Sequence, residues 1–201
     1  MAVGLLEPVN ILPVAGIELA SVACGIKSNG RDDLVLIKIN SDSSCAATFT
    51  KNAFCAAPVV VAKQHLAQTQ PRALLINSGN ANAGTGEQGI QDAVQTCEWV
   101  ASALQCNTKE VLPFSTGVIG EPMPMDVLDS GVKLVSQQLA INNWMDAAQG
   151  IMTTDTVAKA VSQQITIDGK LITITGITKG SGMICPNMAT MLAFIGTDAT
   201  V

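Results

Sequence analysis

The stretch SQQITIDGKLITIT, residues 162–175, carries two alternating runs on either side of Asp168-Gly169. An Asp-Gly pair suits a type I′ turn, whose two positive φ angles match the twist of paired strands, so the segment predicts a β-hairpin. Outward from it, DDLVLIKIN (32–40), APVVVAK (57–63), RALLIN (72–77) and KEVLPF (109–114) read as strands. GEQGIQDAVQTCEWVASALQ (86–105) instead puts Ile90, Val94, Cys97, Ala101 and Leu104 on one face at helical spacing. Further helices are expected over 125–139 and 142–152. Strands and helices interleave without a strict βαβ rhythm, which predicts a layered α/β or α+β sandwich. The last run, LAFIGTDATV (192–201), reads as a strand and its following turn, and the chain is expected to be the front part of a longer protein.

Composition narrows the function. The 201 residues include 48% hydrophobic and only 13% charged side chains, so part of the apolar surface is expected to meet another chain or segment. The net charge of −5 comes without a basic cluster, which argues against a nucleic-acid partner. The longest apolar run, AFCAAPVVVA (53–62), is shorter than the roughly 18 residues a bilayer requires, so no membrane span is expected. The N-terminus MAVGLLEPVN has the features of neither a signal nor a transit peptide, and a cytoplasmic protein is the simplest expectation. Six cysteines occur without a C-x-x-C pair and beside a single histidine, His65, so no metal site is expected and the thiols read as buried apolar groups.

Three segments concentrate glycines and hydroxyls. INSGNANAGTGEQG (76–89) contains Gly84, Gly86 and Gly89 in the G-x-G-x-x-G pattern. A dinucleotide site needs those glycines directly after the strand, and here Ser78 to Gly84 intervene, so a dinucleotide-binding module is an alternative with a weak signal. PFSTGVIGEPMP (113–124) offers the Thr116 hydroxyl beside the Gly117 amide, a pair that would form an oxyanion hole next to a nucleophile. A histidine-based triad would have to use His65, in VAKQHLAQ, which has no acidic neighbour and reads as a surface or satisfied residue at a strand end.

KGSGMICPNMATMLAF (179–194) suggests chemistry that needs no histidine. A threonine at a new chain N-terminus uses its own α-amine as base. Thr190 would reach that state if its hydroxyl attacked the Ala189 carbonyl and the resulting ester were hydrolysed. The glycines and proline ahead of it suit a bent backbone.

These segments together resemble ornithine acetyltransferase, also called glutamate N-acetyltransferase. INSGNANAGTG, PFSTGVIGEP, IMTTDTVAK and KGSGMICPNMATMLAFIGTDA follow in the family's order over residues 76–199, and CAAPVVVAK at 55–63 also fits. The resemblance implies a layered fold shared with self-processing aminopeptidases, incomplete without a β chain. It implies cleavage between Ala189 and Thr190, an α chain over 1–189 as one main domain, and a β chain opening at 190–201 with Thr190 as nucleophile. It assigns Thr116 and Gly117 to the oxyanion hole, and Lys179 and Thr153, with Thr154 beside it as the alternative, to substrate binding.

The implied reaction is ping-pong acetyl transfer from N-acetylornithine to glutamate in arginine biosynthesis, without a cofactor. Acetyl-CoA is the additional donor in bifunctional members, and the implied assembly has two α and two β chains. Within enzymes, a self-processing N-terminal-threonine amidohydrolase or aminopeptidase is the alternative, with water as acceptor. A non-catalytic assembly subunit is a further alternative.

Overall fold

The structure is a computed structural model, and it describes residues 6–180 and 191–200. Two sheets lie in separate layers. The first contains β1 (Ile17–Val22), β2 (Leu34–Ile39), β3 (Ala73–Asn80) and β4 (Val111–Val118) in that order. The β1/β2 and β2/β3 pairs are antiparallel, whereas β3 and β4 are parallel. A parallel neighbour needs a crossover, and helix α2 (Gly86–Leu104) supplies it. The second sheet is an antiparallel meander of β5 (Lys159–Ile167), β6 (Lys170–Lys179) and β7 (Leu192–Thr197). Its first turn is the predicted one, with Asp168 at φ 49° and Gly169 at φ 77°.

Period-two alternation divides the first sheet between two cores. Val35, Ile37, Leu74 and Ile76 face one way, packing with Ile177 and Phe194 of the second sheet and with α4 (Trp144–Gly150). Leu34, Leu36, Ala73 and Leu75 face the other, against α2 and α3 (Met125–Ser136). The two sheets touch directly where Phe114 meets Phe194 edge-on, ring centroids 5.1 Å apart. This is the layered arrangement the sequence predicts.

Two expectations need correction. APVVVAK is not a strand: residues Ala57–Leu66 form helix α1. Pro58 sits in its first turn, where a missing N–H costs nothing, and Ala57, Pro58, Val61, Ala62 and His65 are buried along one helical face. That burial overrides the β preference of three consecutive valines. His65 is therefore not at a strand end. It is buried in α1, and its Nδ1 lies 2.8 Å from the Val111 carbonyl oxygen, which makes it a satisfied core residue. In α2 the buried stripe runs through Ala93, Cys97, Val100 and Ala101, while Ile90, Val94 and Leu104 flank it half-buried. Strand β1 was carried by no sequence expectation, although Leu19, Ala20 and Val22 are buried.

Candidate active site

Near the end of the parallel β3/β4 pair, Ser78 stands beside Thr116 and Gly79 beside Gly117, one step before the last pair, Asn80 and Val118. A Cβ on Gly117 would come within 2.2 Å of the Gly79 carbonyl carbon and 2.6 Å of the Asn80 nitrogen, so only glycine allows the strands this close. Beyond the strands, two loops are tied together. Ala81 N donates to the Val118 carbonyl and Gly120 N to the Ala83 carbonyl, both at 2.8 Å. Asn80 Nδ2 donates to the Glu121 and Pro122 carbonyls at 3.2 and 2.9 Å, and Asn82 Nδ2 to the Gly89 carbonyl at 2.8 Å. The asparagines of INSGNANAGTG thus replace a regular ladder and hold the segment after Thr116 in place.

Those bonds also account for the glycine pattern read as a dinucleotide motif. The position a Cβ would take on Gly89 is filled by Thr85 Oγ1 and Asn82 Oδ1. Thr85 Oγ1 itself donates to Asn82 Oδ1 at 2.7 Å. Gly89 thus serves loop packing, whereas Gly84 and Gly86 take positive φ of 73° and 62° in the loop itself.

Lys179 brings the second sheet to this point. It ends β6 on the inward face that also carries Thr173, Thr175 and Ile177, and it is 4% exposed. Its Nζ donates to Thr116 Oγ1 at 2.8 Å and to Thr153 Oγ1 at 2.9 Å. Thr153 follows α4, whose last residue, Gly150, offers its carbonyl to Ser78 Oγ at 2.5 Å. Thr154 is exposed, so of the two candidate threonines it is Thr153 whose hydroxyl meets Lys179. In β6/β7 pairing Lys179 stands opposite Leu192, so the described residues flanking 181–190 both lie here. Ala189 and Thr190, the expected cleavage pair and nucleophile, lie outside the described residues.

Charge at the site is concentrated in a chain with little of it. Burial lowers the Lys179 pKa from its ordinary value, with nearby Lys159 adding to the effect and Asp155 opposing it. Asp155 is buried and accepts hydrogen bonds from Lys159 Nζ and, at 2.9 Å, from Gly180 N. Burial would raise the Asp155 pKa, but the hydrogen bonds from Lys159 and Gly180 outweigh it and hold the carboxyl below its ordinary value. Lys27, in the β1–β2 connection, donates to the Asp32 carbonyl at 2.7 Å and the Gly150 carbonyl at 3.3 Å. Burial, with the charge of Arg31 next, pushes its pKa down to about 8. Sequence reasoning missed Asp155, Lys159 and Lys27. The first two were legible in principle, as the only charges within IMTTDTVAK.

Beside Thr116 and Gly117 opens a cavity of about 200 Å³, mostly apolar, with Phe49, Phe54, Met191 and Leu192 among its walls. A hydroxyl and an adjacent main-chain amide on the wall of an apolar cavity, with a buried ammonium bonded to that hydroxyl, can stabilise negative charge developing on a bound acyl group. His65, the chain's single histidine, is engaged with Val111 in α1. Among the described residues, no group of three or more His, Cys, Asp or Glu side chains could hold a metal, and no helix is long and apolar enough to cross a membrane.

Comparison with known proteins gives this geometry a family. The sequence model described as the ArgJ family matches residues 18–201. A protein of Methylococcus capsulatus named arginine biosynthesis bifunctional protein ArgJ is 51% identical over 196 residues, covering 98% of this chain and 48% of that protein. Its namesake in Pseudomonas syringae pv. tomato is 52% identical over 201 residues, 100% of this chain and 49% of that protein. The chain thus spans about half the length of the curated relatives it matches. Among solved structures, ornithine acetyltransferase from Mycobacterium tuberculosis, complexed with ornithine, superimposes with a TM-score of 0.75 at 38% identity, covering 87% of this chain and 92% of that one. Arginine biosynthesis bifunctional protein ArgJ from Bacillus halodurans gives 0.80 at 34% identity, covering 91% and 98%.

Proposed function

This chain belongs to the ArgJ family, and we propose that it is the N-terminal, α-chain part of an acetyltransferase carrying the acetyl group from N-acetylornithine to glutamate. The observation that carries the reading is the bond from the Lys179 ammonium, which also donates to Thr153, to Thr116, a residue that lines an apolar cavity together with Gly117. The structural relative complexed with ornithine supports ornithine as the leaving amine, and the bifunctional name of the curated relatives supports a second activity, for which acetyl-CoA is the donor we propose.

The precursor cleaves itself between Ala189 and Thr190. Thr190 Oγ attacks the Ala189 carbonyl carbon, the peptide C–N bond breaks as an ester forms and the freed α-amine takes the hydroxyl proton, and water then hydrolyses the ester to release the Ala189 carboxylate and the Thr190 hydroxyl. That amine then takes the Thr190 hydroxyl proton as Oγ attacks the acetyl carbonyl of N-acetylornithine. The oxyanion rests on the Thr116 hydroxyl and the Gly117 N–H. The acetyl C–N bond breaks, the proton passes to the leaving nitrogen, and ornithine departs from an acetyl-Thr190 ester. Glutamate's amine attacks this ester and gives up a proton to the Thr190 α-amine, which passes it to the departing Oγ as the ester C–O bond breaks, and N-acetylglutamate is released. Lys179 and Thr153 orient the amino-acid part of the substrate. Placement of the nucleophile is supported by sequence distance, since Thr190 lies two residues before Leu192, the strand partner of Lys179.

Mass spectrometry of the rapidly quenched full-length enzyme tests the reading. N-acetylornithine alone should leave the Thr190-bearing chain heavier by one acetyl group, and glutamate should discharge it as N-acetylglutamate. Steady acetate release indifferent to glutamate would instead assign an amidohydrolase.

A further inference from the structure

Asp155 connects two parts of the site that no single element joins. It lies two residues after Thr153 in the α4–β5 connection, and its side chain is fully buried. One carboxylate oxygen, Oδ1, accepts from the Gly180 amide at 2.9 Å and from Lys159 Nζ. The adjoining segment therefore grips Lys179 at both ends. The Thr153 hydroxyl receives the tip of its side chain, and Asp155 receives the main chain one residue beyond it. The other oxygen, Oδ2, is buried and has no hydrogen-bond partner among the described residues. The Thr153 main chain also acts on this carboxylate, yet a buried charge with one oxygen short of a well-formed hydrogen bond is a poor choice for stability alone, so the position calls for a reason beyond packing.

Charge supplies that reason. Among the described residues, the charged groups acting with Lys179 are Asp155 from the α4–β5 connection, Lys159 from β5 and Lys27 from the β1–β2 connection. Asp155 is the one anion among them. We propose that Asp155 is a positioning residue that fixes the Lys179 ammonium between Thr116 and Thr153 and supplies its counter-charge, keeping it cationic for a carboxylate-bearing amino acid. The substrate part of this inference rests on the acetyltransferase reading, whereas the placement and charge of Lys179 do not.

The test uses the full-length protein, C-terminal half included, with lysine 13C-labelled at the ε-carbon and the Lys179 signal assigned by its loss in Lys179→Arg. Asp155→Asn removes the charge and retains an oxygen for the Gly180 amide. It should lower the Lys179 titration midpoint by about one pH unit, the scale of an opposite charge at close range. Asp155→Glu keeps the charge and should leave the midpoint near the parent's, a second measure should Asp155→Asn fail to fold, and Lys159→Met, which removes a like charge, should move it upward. The alkaline limb of kcat/KM for glutamate should follow the same opposite displacements. Lys179 midpoints unchanged in folded Asp155→Asn and Lys159→Met, or displaced in Asp155→Glu, would overturn the inference. Full transfer activity in Lys179→Met would instead overturn the acetyltransferase assignment of Lys179 and leave the titration result standing.

Discussion

The Lys179 ammonium lies 2.8 Å from the Thr116 hydroxyl oxygen across 63 residues of sequence. Because the lysine can only donate in this bond, the threonine oxygen accepts and its own O–H remains directed elsewhere. A charge-assisted bond of this kind polarises the hydroxyl and strengthens it as a donor toward a second acceptor. The two sheets meet at this bond, so neither sheet alone carries the site.

Thr116→Ala should therefore lower kcat by about 10²–10³-fold with little change in KM, since the lost donor acts on charge that develops in the transition state. Steady-state kinetics of the full-length enzyme with N-acetylornithine and glutamate would measure it. A normal kcat with a raised KM would place Thr116 in ground-state binding.

Gly117→Ala should damage the fold as well as the reaction. Its Cβ would meet main-chain atoms of Gly79 and Asn80 rather than a movable side chain, at a φ of 141°. A loss of about 2 kcal/mol or more is expected, measured as a fall in the urea midpoint of unfolding. A midpoint equal to that of the parent would show that β3 and β4 can separate without cost.

Thr153→Ala and Thr154→Ala discriminate the two adjacent hydroxyls. Of the two it is Thr153 whose hydroxyl accepts from Lys179, so its loss should raise the KM for amino-acid substrates severalfold while the change at exposed Thr154 leaves KM within about twofold. The opposite order of effects would move substrate recognition to Thr154.

Much of this architecture was legible locally. The Asp168-Gly169 hairpin and α2 were carried by turn chemistry and helical period, which need no tertiary context. The 57–63 run was not, because its valines favour a strand and only burial of one face by the surrounding layers makes α1. The proposed oxyanion-hole pair could be seen in Ser-Thr-Gly, yet the requirement for glycine at 117 comes from the approach of Gly79, a contact set by β3/β4 register. Asp155 and Lys27 escaped notice for a similar reason. A lone charge in sequence looks like a solvated one until the fold buries it.

Lys27 makes a pH prediction whose sign follows from burial. Its folded pKa of about 8 lies below its ordinary value of 10.5, so between those values the unfolded chain binds the extra proton. Stability then rises with pH across that window, and the cost of the buried ammonium is present in full below it. Urea unfolding of the full-length protein and Lys27→Met, followed from pH 7 to 10, should show the parent gaining on the variant as pH rises. A constant difference between the two would mean that the Lys27 ammonium is not penalised in the fold.

The last prediction concerns Thr190, which the proposal uses twice, once in cutting the chain and once in carrying the acetyl group. Both uses need the same atom, Oγ, attacking a carbonyl carbon, and the second also needs the α-amine that the first creates. Thr190→Ala should accordingly give an uncut precursor without transfer activity, seen as one band and one intact mass. Thr190→Ser keeps the hydroxyl and, after cutting, the α-amine, but loses the methyl group that restricts χ1, so some processing and some transfer should survive at lower rates. The parent should give two chains, the second beginning Thr-Met-Leu-Ala-Phe on N-terminal sequencing. An alanine variant that cuts but does not transfer would separate the two roles and assign cleavage to another group. One that transfers without cutting would remove the α-amine as base, because the amine would still be locked in a peptide bond.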